Sequence, residues 1–473
     1  MSSVAVHNNL SNFIDAVAAG DGQALVRMAR EVITRAEDAS ELIGQVGLVA
    51  MRGDSEGHTV LTLGAAGMLC RWLFALRYVL GEGTEEKVSG IPLVLQALAA
   101  ATPAVRAGKD VSRDRPDPLF PGDLPADETV STAMHKAVYA GDAATVERLL
   151  LGLYGTGADY RTISVRIYDA ISQTFQEDGH TLLAAVRGAQ VLDTVEWGED
   201  APGYIHWLTP HLPLHTEEPA WIEVVRSLLK EPQYSLESYR TRLAAPRNEN
   251  ALPLRDLILS DAPTPKVCQG VYNALIKNGA SARGVGSVIA LAACDLVQSI
   301  SDDDRDLFVR AAHGLLYASA VRKVYTQVQE IEALPLLFTA ASYINSLWQE
   351  LGVQATPDKG VSPGVGGGGL IAPALLESLS ERIEAQDITG ALANARRYIQ
   401  LGHDLRALFG VIGLAAAQAD ATADQGHTLQ IVLTAGDESL AWPKDLTSAN
   451  IEGFLQVALR AVSLAKRSTV TRA

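Results

Sequence analysis

Apolar residues recur at helical spacing along this chain, and four stretches share one layout. Each sets a histidine at the head of an apolar run: Gly57-His58-Thr59, Gly179-His180-Thr181, Ala312-His313-Gly314 and Gly426-His427-Thr428. Three, four, seven and eleven positions after His313 stand Leu316, Tyr317, Ala320 and Val324. That spacing keeps the histidine on the apolar face of a helix. The same positions after His58 are Leu61, Thr62, Ala65 and Leu69, and after His180 they are Leu183, Ala184, Arg187 and Val191. After His427 they are Gln430, Ile431, Thr434 and Glu438, so this copy reads as degraded and only three histidines are expected to point inward. Thr428–Thr434 also suits a strand, but the shared layout argues for a helix.

The repeat extends upstream. Ala16-Val17-Ala18-Ala19-Gly20-Asp21 aligns with Ala137-Val138-Tyr139-Ala140-Gly141-Asp142, and Gln386-Asp387 is a fainter copy. Glycine suits the left-handed position that ends a helix, and aspartate caps the next one. His58, His180 and His427 follow Asp21, Asp142 and Asp387 by 37, 38 and 40 positions. A longer third copy runs from Ser260-Asp261 to His313. The expected fold is all-α, built from internally duplicated helical units in two pseudo-related halves. The units are 1–110, 126–244, 254–352 and 370–473, joined by linkers 111–125, 245–253 and 353–369. A period above 100 residues excludes solenoid repeats, and the ankyrin-like stretch Ala137–Tyr160 occurs once.

Composition narrows the function. The chain has 473 residues, a net charge of −16 and three cysteines. No basic block is present, which argues against nucleic acid or an anionic membrane as partner. Cys70, Cys268 and Cys294 make no zinc or disulfide framework. The N-terminus lacks the plan of a signal peptide, and runs such as Val288–Leu296 are too short for a bilayer, so a soluble cytoplasmic protein is expected. The glycine-rich 359–369 segment has no lysine-bearing phosphate-loop pattern, and Ser301–Asp306 lacks the glycine and closing glutamate of a calcium loop. The Ser301–Asp306 segment reads as a turn that caps the helix carrying His313.

The repeated histidines carry the chemistry. Neutral imidazole ligates iron, zinc or copper, and bundle helices project ligands into a shared core. The candidate metal residues are His135, His180 and His313, with His58 and His427 as counterparts and iron as the favoured ion. His135 lies one helix before the Gly141-Asp142 turn, from where it is expected to face His180. Duplication alone also accounts for repeated histidines, each bonded to a nearby carbonyl at a helix start. A second group, His206, His211 and His215, has metal-like spacing, but Pro210 and Pro213 make an irregular loop the simpler expectation.

The stretches Met134-His135-Lys136-Ala137-Val138, Gly179-His180-Thr181-Leu182-Leu183 and Ala312–Val321 resemble a helical domain that follows a Rieske-type [2Fe–2S] domain in some bacterial proteins. They are also distantly similar to questin-oxidase-like proteins. The resemblance covers most of residues 130–345. It implies an all-helical oxidoreductase with histidines in its core, acting on a small organic substrate; the chain shows no reductase motif, so electrons are expected from a separate redox partner. The chain has no CxH and CxxH pair for a Rieske cluster. Gln173 and Thr174 stand where the family pattern has an Asp-His pair, which counts against metal binding there. The alternatives are a non-catalytic helical scaffold that binds a protein partner, and a small-molecule binding protein.

Overall fold

The computed structural model describes residues 2–33, 36–81, 88–111, 115–195, 197–234, 236–239, 251–328, 330–353, 371–443, 446 and 451–468. Most of the two later linkers lies outside these residues. The described part is all-α, with no strand and one isolated bridge between Ala419 and Arg467.

Helices α1–α5 are Ser2–Ala19, Gly22–Val32, Ala36–Ala50, His58–Leu80 and Ile91–Gly108. Helices α6–α11 are Val130–Tyr139, Ala143–Gly155, Tyr160–Ile171, His180–Leu192, Trp197–Leu208 and Ala220–Leu229. Helices α12–α16 are Pro253–Ile258, Thr264–Tyr272, Ala282–Ser299, Arg305–Gln327 and Pro335–Leu351. Helices α17–α21 are Ala372–Glu384, Ile388–Gln400, Leu405–Ala416, His427–Ala441 and Glu452–Leu464.

The expected caps are present. Asp21, Asp142 and Asp387 accept from the backbone N–H three residues on and open α2, α7 and α18. Asp304 does the same for α15, at the acidic turn expected to cap it. Asp261 is not a cap; Pro263 stands at that position before α13. The Thr428–Thr434 run is helical.

Three Gly-His pairs begin helices. Gly57, Gly179 and Gly426 take left-handed φ, and α4, α9 and α20 start at the histidine that follows. Only glycine meets both demands at Gly57, where φ is +82° and an added Cβ would stand 3.0 Å from His180 Nε2. His313 departs from this pattern. It lies more than two turns inside α15, which begins at Arg305.

Helix α4 packs on α9, α9 on α15, α15 on α20, and α20 back on α4, closing a ring of four helices. Paired contacts fix their direction. His58 meets His180 and Gly64 lies against Arg187, while Thr62 meets Gln425 and Trp72 lies against Gly436. Arg187 meets Thr434, each seven residues past its histidine. His313 meets His427, and further along the same two helices Arg322 meets Glu438 and Lys323 meets Asp437. All four helices therefore run parallel, with their histidines at one end. One continuous apolar core takes residues from the ring and from all four predicted units.

Helices α4 and α5 are long and apolar enough to cross a membrane, unlike the short runs singled out in the sequence. Inside the protein 72% of the apolar window of α4 is buried, and 56% of that of α5. The apolarity of α4 thus matches its place in the ring, against α3, α5, α9, α19 and α20.

Candidate functional site

The head of the ring gathers His58, His180, His313 and His427. His313 Nε2 and His427 Nε2 stand 2.8 Å apart, with the rings stacked at 26°. His58 and His180 meet edge to face, 4.9 Å between ring centroids. The two pairs feel each other, since His180 and His58 both act on the charge of His313. His211 completes the group, its ring centroid 6.4 Å from that of His180. Each of the four ring histidines keeps partial solvent access, and the exposed residues Ser55, Glu56, Glu177, Asp178 and Gln425 stand beside them in sequence.

Each Gly-His turn is braced by a polar residue just upstream. Asp54 accepts from the N–H of Val60 at 2.9 Å. Asp424 accepts from Gly426 N–H at 2.9 Å, from Thr428 N–H at 3.1 Å and from the Thr428 hydroxyl. Gln176 donates to Thr181 Oγ1 and to the Pro213 carbonyl, and accepts from His215 N–H. These three residues went unnoticed in the sequence. Their signal was an Asp or Gln three or four residues before each Gly-His.

Burial disfavours charge on four of the five rings. It lowers His180 to about 4, helped by repulsion from His58 and His211. It lowers His313 to about 3, helped by His427, His180 and His58. His427 and His211 are also shifted down, chiefly by burial. Three helix N-termini converge here, and their partial positive charge further disfavours imidazolium. In neutral rings the hydrogen bonds fix the tautomers. His427 Nδ1 donates to the Asp424 carbonyl, so its Nε2 accepts. His313 therefore donates from Nε2 to His427. His180 Nε2 donates to the Glu56 carbonyl at 3.0 Å.

His135 is elsewhere. Its Nε2 lies 3.0 Å from Asp169 Oδ1, on α8, rather than facing His180. Burial opposes ionisation of Asp169, yet bonds from His135 and Ser131 leave its pKa lowered. The expected loop at His206–His215 is only partly irregular. His206 sits in the last turn of α10 and pairs with Glu147, while Thr209–His211 form a 3-10 turn that delivers His211 to the cluster. His215 pairs with Glu177; burial works against its charge, but the Pro213 carbonyl and Glu177 raise its pKa.

The metal expectation finds no support in this geometry. Among the described residues, no group of three or more His, Cys, Asp or Glu is set to hold a metal ion. Two imidazoles on one tetrahedral ion, each at about 2.0–2.1 Å, would stand roughly 3.3 Å apart with both lone pairs on the ion. His313 and His427 are closer than that, and the His427 lone pair is taken by the His313 proton. The rings fit a hydrogen-bonded cluster better than an iron site.

The fourth stripe, read as degraded, is wholly interior. Gln430, Thr434 and Glu438 are each at most 2% exposed, and Arg187 across from them is 4% exposed. Arg322 and Ser319 donate to Glu438 Oε1, and Lys323 donates to Asp437 at 2.9 Å. A polar axis thus runs down the ring beneath the histidines.

A cavity of about 460 Å³ lies to one side, lined by residues that include Met51, Arg52, Lys109, Asp200 and His206, and by none of the cluster histidines. No family model, no curated protein and no solved structure matches the chain.

Proposed function

We propose that the histidine cluster is the active centre of an oxidoreductase acting on a small, neutral organic substrate that carries a carbonyl or hydroxyl oxygen. The observation that carries this reading is the convergence of His58, His180, His313 and His427 at the shared head of four parallel helices. A low-pKa imidazole that faces helix N-termini stays neutral and polarises a substrate oxygen by donating an N–H. The His313 Nε2–H rests on a weak acceptor, His427 Nε2, and a substrate oxygen can take it over. When a neutral ring of the cluster takes up the proton α to a substrate carbonyl, the adjoining helix ends favour the negative charge that develops on the oxygen, and the enolate so formed gives two electrons to an external acceptor. The exposed carboxylates of Glu56, Glu177 and Asp178 disfavour an anionic substrate. The electron acceptor is a separate molecule or partner protein, and no step depends on a bound metal.

The test is proton exchange. Purified protein is incubated in deuterated buffer with a panel of cyclic ketones, α-hydroxyketones and aryl ketones, and proton NMR follows loss of the α-proton. A member of the panel is expected to exchange faster with the wild type, and His313→Ala is expected to lose about 10²–10⁴-fold of that rate. No acceleration across the panel, or full acceleration in His313→Ala, contradicts the reading.

A non-catalytic scaffold is the second reading. Ring nitrogens of His180, His313 and His427 already have protein partners, as in a structural joint. A stoichiometric protein partner recovered with the purified chain, together with a silent exchange assay, favours it.

A further inference from the structure

Seven residues below the histidines, the four parallel helices contribute Ala65, Arg187, Ala320 and Thr434 to one layer of the ring. Three are small, which leaves the axis to the guanidinium. Arg187 is 4% exposed and donates to two neutral acceptors, Gln190 Oε1 at 2.7 Å and Thr434 Oγ1 at 2.9 Å. Among the described residues no carboxylate lies within ion-pair distance of it. Arginine does not shed its charge by deprotonation in proteins. Its Nε–H has no partner, and neither does the side-chain nitrogen of Gln190, one turn along the same helix and 1% exposed. A buried donor without an acceptor calls for an explanation, and here two stand on one turn of one helix.

The charge count points the same way. The axis holds three cations, Arg187, Arg322 and Lys323, against two carboxylates, Asp437 and Glu438. Arg322 is matched by Glu438 and Lys323 by Asp437. The nearby Arg255–Asp295 pair is balanced within itself. Asp437 acts on Arg187 as well as on Lys323, so two carboxylates are shared among three cations, and one positive charge is left over beside two donors that lack acceptors.

We propose that the Arg187–Gln190–Thr434 layer is a buried binding site for one small monovalent anion of the size of chloride. The anion accepts from Arg187 Nε and Gln190 Nε2 and neutralises the charge left over. A single negative charge balances the count, while a divalent anion would overshoot it and a water would leave the charge standing. This site is independent of the catalytic reading and stands or falls without it.

Crystals grown in bromide test it directly. An anomalous peak is expected within hydrogen-bond reach of Arg187 Nε and Gln190 Nε2. In solution, exchanging gluconate for chloride at constant ionic strength is expected to raise the thermal midpoint by about 3 °C or more at saturation. The rise is expected to vanish in Arg187→Met and to weaken in Gln190→Leu, which keeps the test open if the arginine variant does not fold. A water, or no density, at that position in bromide crystals overturns the proposal. An undiminished chloride effect in the variants overturns it as well.

Discussion

His313 and His427 share one proton across 2.8 Å between their Nε2 atoms, at the head of the four-helix ring. The bond exists because both rings are neutral. Protonating either places a cation in a part-buried site against three other imidazoles. Stability should therefore depend on pH with a definite sign. The folded pKa values of His180 and His313, about 4 and about 3, lie below the unfolded value near 6.5. Below that value the unfolded chain binds more protons, so stability is full above pH 6.5 and falls as the pH drops through 6 and 5. A loss of up to about 6 kcal/mol between pH 7 and 4, about 3 from each ring, is expected, measured by urea unfolding. His313→Gln is expected to flatten that slope.

Gly179 carries the second prediction. Its φ is +84°, and an added Cβ would stand 2.1 Å from the Tyr317 ring. Gly179→Ala should cost about 2–4 kcal/mol from backbone strain and overpacking together. The same substitution at the exposed Gly198, which has open space around it, should cost under about 1 kcal/mol. Thermal unfolding of the two variants compares them.

The Arg322–Glu438 pair gives a third. Both side chains are at most 3% exposed. Removing one partner strands a buried charge, so Arg322→Met should destabilise by about 3–5 kcal/mol. The double change Arg322→Met with Glu438→Leu should recover most of that loss. Chemical unfolding of single and double variants reads the coupling.

His135 separates the cluster from a mere count of histidines. His135→Ala should cost about 1 kcal/mol through loss of its bond to Asp169, and leave the ring signals of His180 and His313 in place. His180→Ala should shift the His313 signals. Imidazole NMR of the two variants distinguishes them.

The helical class and the starts of α4, α9 and α20 were legible because apolar residues recur at helical spacing from each histidine, a local signal. The caps at Asp21, Asp142, Asp304 and Asp387 were legible as local signals too. What was missed is tertiary. Gln430, Thr434 and Glu438 look like decay of an apolar stripe until Arg187 and Arg322 are seen opposite them. The proline-broken segment hid His211, whose place depends on ties between Gln176, Pro213 and His215. His135 sits near a Gly-Asp turn as the repeat suggests, but Asp169 on the next helix but one claims its ring. The metal expectation came from the repetition of histidines on helices and from a family resemblance, and hydrogen bonds between the rings answer the same polar demand.

The most direct measurement is nitrogen-15 NMR of the histidine rings at pH 5 in protein labelled on histidine. His180 and His313 are expected to show neutral-ring shifts there, with a coupling across the His313 Nε2–H to His427 Nε2 bond. Rings that titrate near pH 6.5 as independent, solvated imidazoles would contradict a shared neutral cluster at the head of the four helices.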